Sequence, residues 1–278
     1  MKIIESIKSM QAQSLDWKRG GFKVGVVPTM GALHEGHLSL IDLIKPHVDK
    51  IIVTLFVNPT QFGEGEDFSK YPRTFEEDCA KCRDRGVDAL FFPSNEEMYD
   101  EDCSTFVEEE KLTFGLCGAS RPGHFRGVTT VVAKLYNAVL PDFAVFGEKD
   151  FQQLQVLKRM TRDLNFPVEV LAAPIFRESD GLAMSSRNRY LQEKERNSAV
   201  TISKSLKEAA GQIRNGAGIL ESIESVKKSI TDSEGKVDYV KVVDSNTLEE
   251  LDQPVAGSMR ILAAAYYGPA RLIDNMEV

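Results

Sequence analysis

The sequence predicts an α/β fold: a Rossmann-like parallel sheet with helices on both faces, followed by a smaller α+β C-terminal domain. Three observations predict it. Strand-like and helix-like segments alternate through the first two thirds of the chain. The strand candidates are apolar at consecutive positions, the pattern of strands covered on both faces. After about residue 175 the alternation stops, and helical segments are followed by closely spaced strand candidates. The expected boundary divides residues 1–175 from 176–278.

The elements follow in order. "FKVGVVP" (22–28) is a short β-branched run, and "GHLSLIDLIKPH" carries Leu38, Ile41 and Ile44 on one helical face. "DKIIVTLFVNP" (49–59) is an almost continuous apolar strand. "TFEEDCAKCRDRGV" (74–87) reads as a charged amphipathic helix ending at Gly86, and "DALFFP" (88–93) as a strand. Val128, Val131, Val132, Leu135 and Val139 recur at helical spacing within 126–142. "FAVFGEKD" (143–150) is a strand with a glycine at its exit, "DFQQLQVLKRMTRDLNF" a helix, and "VEVLAAP" (168–174) a strand. "RESDGLAMSSRNRYL" is polar and turn-rich. Helices are expected at about 193–212 and 217–230, then strands in "VDYVKVVD", "MRILAAAYYG" and "RLIDNMEV".

Composition narrows the function. The 278 residues are 42% hydrophobic and 27% charged, which suits a chain with a sizeable core. The net charge of −8 argues against a broad nucleic-acid or anionic-membrane surface, which needs a basic field. A few cations in one cleft still suffice for an anionic small molecule. The first residues, "MKIIESIKSMQAQ", are interrupted by charge and read as no signal peptide, and no apolar run reaches membrane-spanning length. A cytoplasmic protein with free thiols is expected. "CAKC" (Cys79 and Cys82) lacks a second ligand pair at zinc-like spacing.

Four stretches follow predicted strands or sit in the polar loop. In "VPTMGALHEGHLSL", the glycines at 31 and 36 allow close backbone approach, and His34 and His37 lie where a helix begins. A helix N-terminus offers N–H groups and a positive dipole end, which suits phosphate. "HEGH" is not the H-E-x-x-H metalloprotease pattern. In "FVNPTQF", Asn58 and Gln61 carry amides that both donate and accept, suited to hydroxyl and carboxylate groups. In "FGEKDFQQL", Lys149 is a point cation, with Gln153 on the same face four residues on. In "GLAMSSRN", Ser185, Ser186 and Arg187 can bind phosphate from a loop able to close. Each stretch has an ordinary reading beside it: a capped turn with two surface histidines, a post-strand turn, a helix capped by Asp150, and a polar interdomain linker. P-loop and G-x-G-x-x-G fingerprints are absent.

Together the four stretches resemble the pantothenate synthetase (pantoate–β-alanine ligase) family. "PTMGALHEGH" is similar to the HIGH-type nucleotide motif, and "MSSR" to the KMSKS-type loop. "YPRTFEED" and "SRPGHFRGV" resemble further family blocks, in the family's order. The resemblance implies ATP-dependent condensation of (R)-pantoate with β-alanine through a pantoyl adenylate, giving pantothenate, AMP and diphosphate. It implies catalytic roles for His34, His37, Lys149, Ser185, Ser186 and Arg187 around the phosphates. It implies nucleotide contacts from Met30, Gly31, Gly147, Glu148, Asp150, Phe176 and Met184, and pantoate contacts from Asn58, Gln61 and Gln153. The first domain would bind ATP and pantoate, and the second would act as a lid. Magnesium would ride on the ATP phosphates, with Glu77 and Asp78 as candidate outer ligands. The resemblance also implies a homodimer. Another adenylyltransferase would share the HIGH-like turn without needing both "FVNPTQF" and "GEKDFQQ". A non-catalytic nucleotide sensor would release no pyrophosphate.

Overall fold

The computed structural model describes residues 1–255 and 257–278. The strands are β1 (Lys2–Ile4), β2 (Val24–Thr29), β3 (Lys50–Leu55), β4 (Ala89–Phe91), β5 (Phe143–Gly147), β6 (Glu169–Ala173), β7 (Lys236–Asp244), β8 (Met259–Tyr267) and β9 (Ala270–Glu277). The helices are α1 (Ile7–Arg19), α2 (Glu35–Ile44), α3 (Phe75–Asp84), α4 (Asn95–Met98), α5 (Leu116–Ser120), α6 (His124–Val139), α7 (Phe151–Asp163), α8 (Glu193–Ala199), α9 (Thr201–Arg214) and α10 (Ile219–Asp232).

The chain divides into two compact units. The first comprises 1–113, 121–148 and 153–174, and the second 114–120, 149–152 and 175–278.

The first unit is built on a parallel sheet in the order β1-β4-β3-β2-β5-β6. Val27 pairs with Val53 on one side of β2, and Val26 with Ala144 on the other. The chain winds outward from β2 through β3 to β4, then restarts on the other side at β5. That reversal leaves a crevice beyond the carboxyl ends of β2 and β5, where ligands bind in open α/β sheets. Helices cover both faces. Val26, Ile52, Ala89 and Phe146 pack with α6 residues such as Val128 and Leu135, while Val27, Val53, Leu90 and Val145 pack with Leu38 and Ile41 of α2 and with Cys79 and Cys82 of α3. Burial pushes the Cys82 thiol up to about 12, so this cysteine is core packing in its protonated form.

The second unit carries an antiparallel sheet, β7-β8-β9. Val240, Val242, Ile261, Ala263 and Ala265 face a core completed by Leu206 and Ile213 of α9 and Val226 and Ile230 of α10. Two short pieces from earlier in the chain join this unit for identifiable reasons. Phe151 and Leu116 bury against Val243 and Leu262. Gln152 donates to the Gly115 carbonyl at 2.9 Å and accepts the Cys117 N–H at 2.9 Å.

Two sequence expectations shift. The strand expected over 143–150 stops at Gly147, and residues Glu148–Asp150 form a 3-10 turn leading into α7. The first 21 residues, given no element in the sequence reading, form β1 and α1; α1 buries only Met10 and Ser14.

Candidate active site

In the first unit the site residues gather where β2 ends. The Thr29 hydroxyl donates to the Thr54 carbonyl at 2.7 Å and accepts the Gly31 N–H at 3.2 Å, so the loop leaves the sheet on a fixed heading. Gly31 and Ala32 both take positive φ, +84° and +51°. For alanine that backbone is uncommon and needs an external hold. Asp78 supplies it. Its buried carboxylate accepts the N–H of Ala32 at 2.9 Å and of Leu33 at 2.8 Å, and Thr74 donates to it at 3.2 Å. Lys81 then donates to the Leu33 carbonyl at 2.7 Å.

The anchored loop delivers His34 as the N-cap of α2, with extended backbone. The two imidazoles stack, with ring centroids 3.9 Å apart and planes 24° apart. The His34 N–H donates to His37 Nδ1 at 3.4 Å. A neutral His37 therefore carries its proton on Nε2. Both rings are half-buried at the positive end of a ten-residue helix, a setting suited to phosphate oxygens.

Beyond β3, Asn58 organises the turn Pro59–Gln61. It is only 1% exposed. Its Oδ1 accepts from the Thr60 N–H, the Thr60 hydroxyl and the Tyr99 hydroxyl, at 3.3, 2.9 and 2.9 Å. Its Nδ2 donates to Gln61 Oε1 and to the Gly127 carbonyl, both at 3.1 Å. Gln61 Nε2 reaches Met30 Sδ at 3.2 Å, which joins the two loops. The Gln61 carbonyl accepts from His124 Nδ1 at 2.8 Å and from Arg121 at 3.3 Å. Accepting there requires a proton on His124 Nδ1, which leaves Nε2 to accept from Arg121 at 2.9 Å. Arg121 in turn forks onto Glu66 at 2.7 and 2.6 Å. Burial opposes charge on Glu66, but the Arg121 hydrogen bond and charge outweigh it and hold the carboxyl below its usual value. Half-buried Gln153 lies on α7, and Gly147 closes β5 with open space where a side chain would be.

In the second unit, the Lys149 ammonium lies 3.8 Å from the Asp150 carboxylate and is 21% exposed. Phe176 is exposed at 39%, and its carbonyl accepts the Met184 N–H at 3.0 Å. That bond and the antiparallel bridge between Arg177 and Ala183 make a hairpin whose return arm leads into Ser185, Ser186 and Arg187. Ser185 Oγ caps the following 3-10 turn by accepting the Arg187 N–H at 3.3 Å. Behind it, Glu178 accepts from Asn188 at 2.7 Å and from Arg196 at 2.6 Å, and Arg196 also grips Asp180 at 2.7 Å. The Arg196 hydrogen bond holds the Asp180 carboxyl below its usual value.

Three candidates meet protein partners or solvent in this structure. Asn58 spends its amide on protein partners, Gln61 among them. Asp78 spends both oxygens on the 31–33 loop and Thr74. Glu77 is exposed, with Lys81 at 3.9 Å. Among the described residues there is no group of three or more His, Cys, Asp or Glu able to hold a metal ion. Arg121, His124 and Glu66 carried no assigned role in the sequence. "SRPGHFRGV" marked the first two as part of a block, but nothing local pointed to the Gln61 carbonyl.

The profile of the pantoate-beta-alanine ligase family matches residues 2–277. The chain belongs to that family. A pantothenate synthetase of Sulfurihydrogenibium sp. (strain YO3AOP1) is 51% identical over 280 residues, covering 100% of both chains. The crystal structure of pantothenate synthetase from Thermus thermophilus superposes with a TM-score of 0.93 at 42% identity, over 99% of each chain. The pantoate-beta-alanine ligase of Francisella tularensis, complexed with beta-gamma ATP and beta-alanine, superposes at 0.84 and 33% identity, over 99% of this chain and 97% of that one. The ligase fold accounts for both sheets of this chain, the six-stranded parallel one and the three-stranded antiparallel one.

Proposed function

We infer that this chain condenses pantoate with β-alanine at the expense of ATP, giving pantothenate, AMP and diphosphate. The observation that carries the reading is the full-length match to the ligase family, with a solved relative complexed with beta-gamma ATP and beta-alanine.

In the first step a pantoate carboxylate oxygen attacks the α-phosphorus of ATP, and the bond to the β-phosphate bridging oxygen breaks. Pantoyl adenylate and pyrophosphate result. Pantoate is already a nucleophile, so the step needs alignment and charge neutralisation rather than a base. His37, with its Nε2 proton, and His34 donate to phosphate oxygens as charge shifts onto the leaving pyrophosphate. Lys149, Ser185, Ser186 and Arg187 neutralise the same charge. Gln61 and Gln153 hold pantoate, with Asn58 fixing the Gln61 amide. Met30, Gly31, Gly147, Glu148, Asp150, Phe176 and Met184 serve the nucleotide. In the second step the β-alanine amine attacks the acyl carbon, AMP leaves, and the amine proton is lost. Magnesium enters as part of the ATP substrate, held mainly by phosphate oxygens. A homodimer, with the C-terminal domain from 176 acting as a lid, completes the reading and rests on the family resemblance; the cytoplasmic assignment rests on the sequence and its free cysteines.

The test is product analysis by mass spectrometry with ATP, magnesium, pantoate and β-alanine, omitting each in turn. AMP and pantothenate are expected only from the full mixture, and pantoyl adenylate when β-alanine is left out. ADP in place of AMP would overturn adenylate chemistry. A folded, ATP-binding protein without turnover would be a sensor.

A further inference from the structure

Two adjacent residues of β9, Asp274 and Asn275, are buried at 4% and 2% exposure. Neighbours on a strand point to opposite faces of the sheet. Here both faces carry a buried polar side chain, which is costly unless each is paired. The partners show what the positions hold.

On one face, Asp274 accepts both Arg177 guanidinium nitrogens, at 2.7 and 2.9 Å. Arg177 also donates to the Gly181 carbonyl at 3.0 Å. The ion pair therefore fixes the root of the hairpin that leads to Ser185, Ser186 and Arg187. On the other face, Asn275 Oδ1 accepts from Arg260 at 2.6 Å, and the Arg260 guanidinium lies 4.1 Å from the centre of the Phe151 ring. Asn275 Nδ2 donates to the main-chain carbonyl of Lys149 at 3.1 Å.

We propose that Asp274 and Asn275 are positioning residues for adenylate formation. One peptide unit of β9 ties down both cationic arms: Lys149 by its backbone, and the Ser185–Arg187 loop through Arg177. The inference rests on the roles given to those arms above. Neither residue needs to touch substrate. A fixed spacing between the arms matters because a misplacement of about 1 Å can lower a rate roughly a hundredfold.

Asn275→Asp separates positioning from folding. It keeps the acceptor for Arg260 and turns that charge-assisted contact into an ion pair. It replaces the donor to the Lys149 carbonyl with an oxygen that repels it. Three quantities are measured on parent and variant: pantoate-dependent exchange of labelled pyrophosphate into ATP, conversion of preformed pantoyl adenylate by β-alanine, and the melting temperature. The expected result is a roughly ten- to hundredfold loss of exchange, with the β-alanine step and the melting temperature close to those of the parent. Exchange at the parent rate in folded Asn275→Asp overturns the inference, as does a parallel fall of both half-reactions together with the melting temperature. Should that variant not fold, Asn275→Ser, too short to reach either Arg260 or the Lys149 carbonyl, is judged by the same split between the two half-reactions. A parent that exchanges no pyrophosphate would instead overturn the functional reading on which the inference stands.

Discussion

Asp78 accepts the backbone N–H of Leu33 at 2.8 Å across 45 residues of sequence. The bond joins the first turn of α3 to the loop after β2, and it is the reason Ala32 can hold a positive φ next to Gly31. The loop geometry that places His34 and His37 is therefore set from another helix.

Asp78→Asn should expose this dependence. The carboxylate uses a separate oxygen for each N–H, Oδ2 for Ala32 and Oδ1 for Leu33, and in the amide one of these becomes an NH2 that faces a donor. One buried donor is left unpaired, at a cost of about 1–3 kcal/mol. Denaturant unfolding should show that loss, and the KM for ATP should rise as the histidine turn loosens. Parent-like stability and KM together would mean the loop is held some other way.

His37→Ala tests the phosphate role directly. The His37 ring accepts the His34 N–H and stacks on the His34 ring, so its removal also frees the N-cap residue. Loss of one donor to developing charge costs roughly a hundred- to a thousandfold in kcat. The ring is half-buried and outside the sheet core, so unfolding should change far less than turnover. Unimpaired adenylate formation in the folded variant would remove His37 from the chemistry.

How much of this was legible in the sequence follows from the range of each interaction. β2, β3 and β5 announced themselves because burial on both faces demands unbroken apolar runs. α6 did so through the valines from 128 to 139. α1 left little trace, since it buries only Met10 and Ser14. The histidine turn was readable because glycine, helix start and histidine lie within a few residues. Asp78 was not, since a carboxylate in an acidic first helical turn looks the same whether it faces solvent, a metal or a distant loop. Asn58 reads as a ligand-binding amide for the same reason, and only the fold shows its donors and acceptors spent on the protein. Phe151 and Gln152 read as the start of their own helix, whereas they bind this segment to residues that precede and follow it by long stretches.

Gly127→Ala should disturb the Asn58–Gln61 turn from the opposite side. A methyl group at 127 would lie 2.3 Å from the Thr60 carbonyl oxygen and 2.7 Å from the Gln61 Cα. Those atoms are backbone and cannot swing aside. Forced separation of this kind costs about 1–3 kcal/mol. Since the displaced atoms carry Gln61, the KM for pantoate should rise more than the KM for ATP. Equal changes in both would point to general destabilisation instead.

Glu66→Gln probes the far end of the same assembly, with pH as the control. The Arg121 guanidinium outweighs burial and keeps the Glu66 carboxyl below its usual value. A group depressed on folding stabilises the native state above its unfolded value, about 4.3 for glutamate, and loses that contribution as pH falls through the folded one. The stability difference between parent and variant should therefore be level from pH 7 down to about 5, then close below about 4.3. Urea midpoints across that range would measure it. A difference that persists undiminished at the acid end would mean that shape, not charge, holds Arg121. Activity gives the second reading at neutral pH. Arg121 released from Glu66 no longer presses on the Gln61 carbonyl or on His124 Nε2, so the KM for pantoate should rise while β-alanine attack on preformed pantoyl adenylate is spared. A variant that loses both half-reactions equally would place Glu66 in the general stability of the unit rather than in the posture of Gln61.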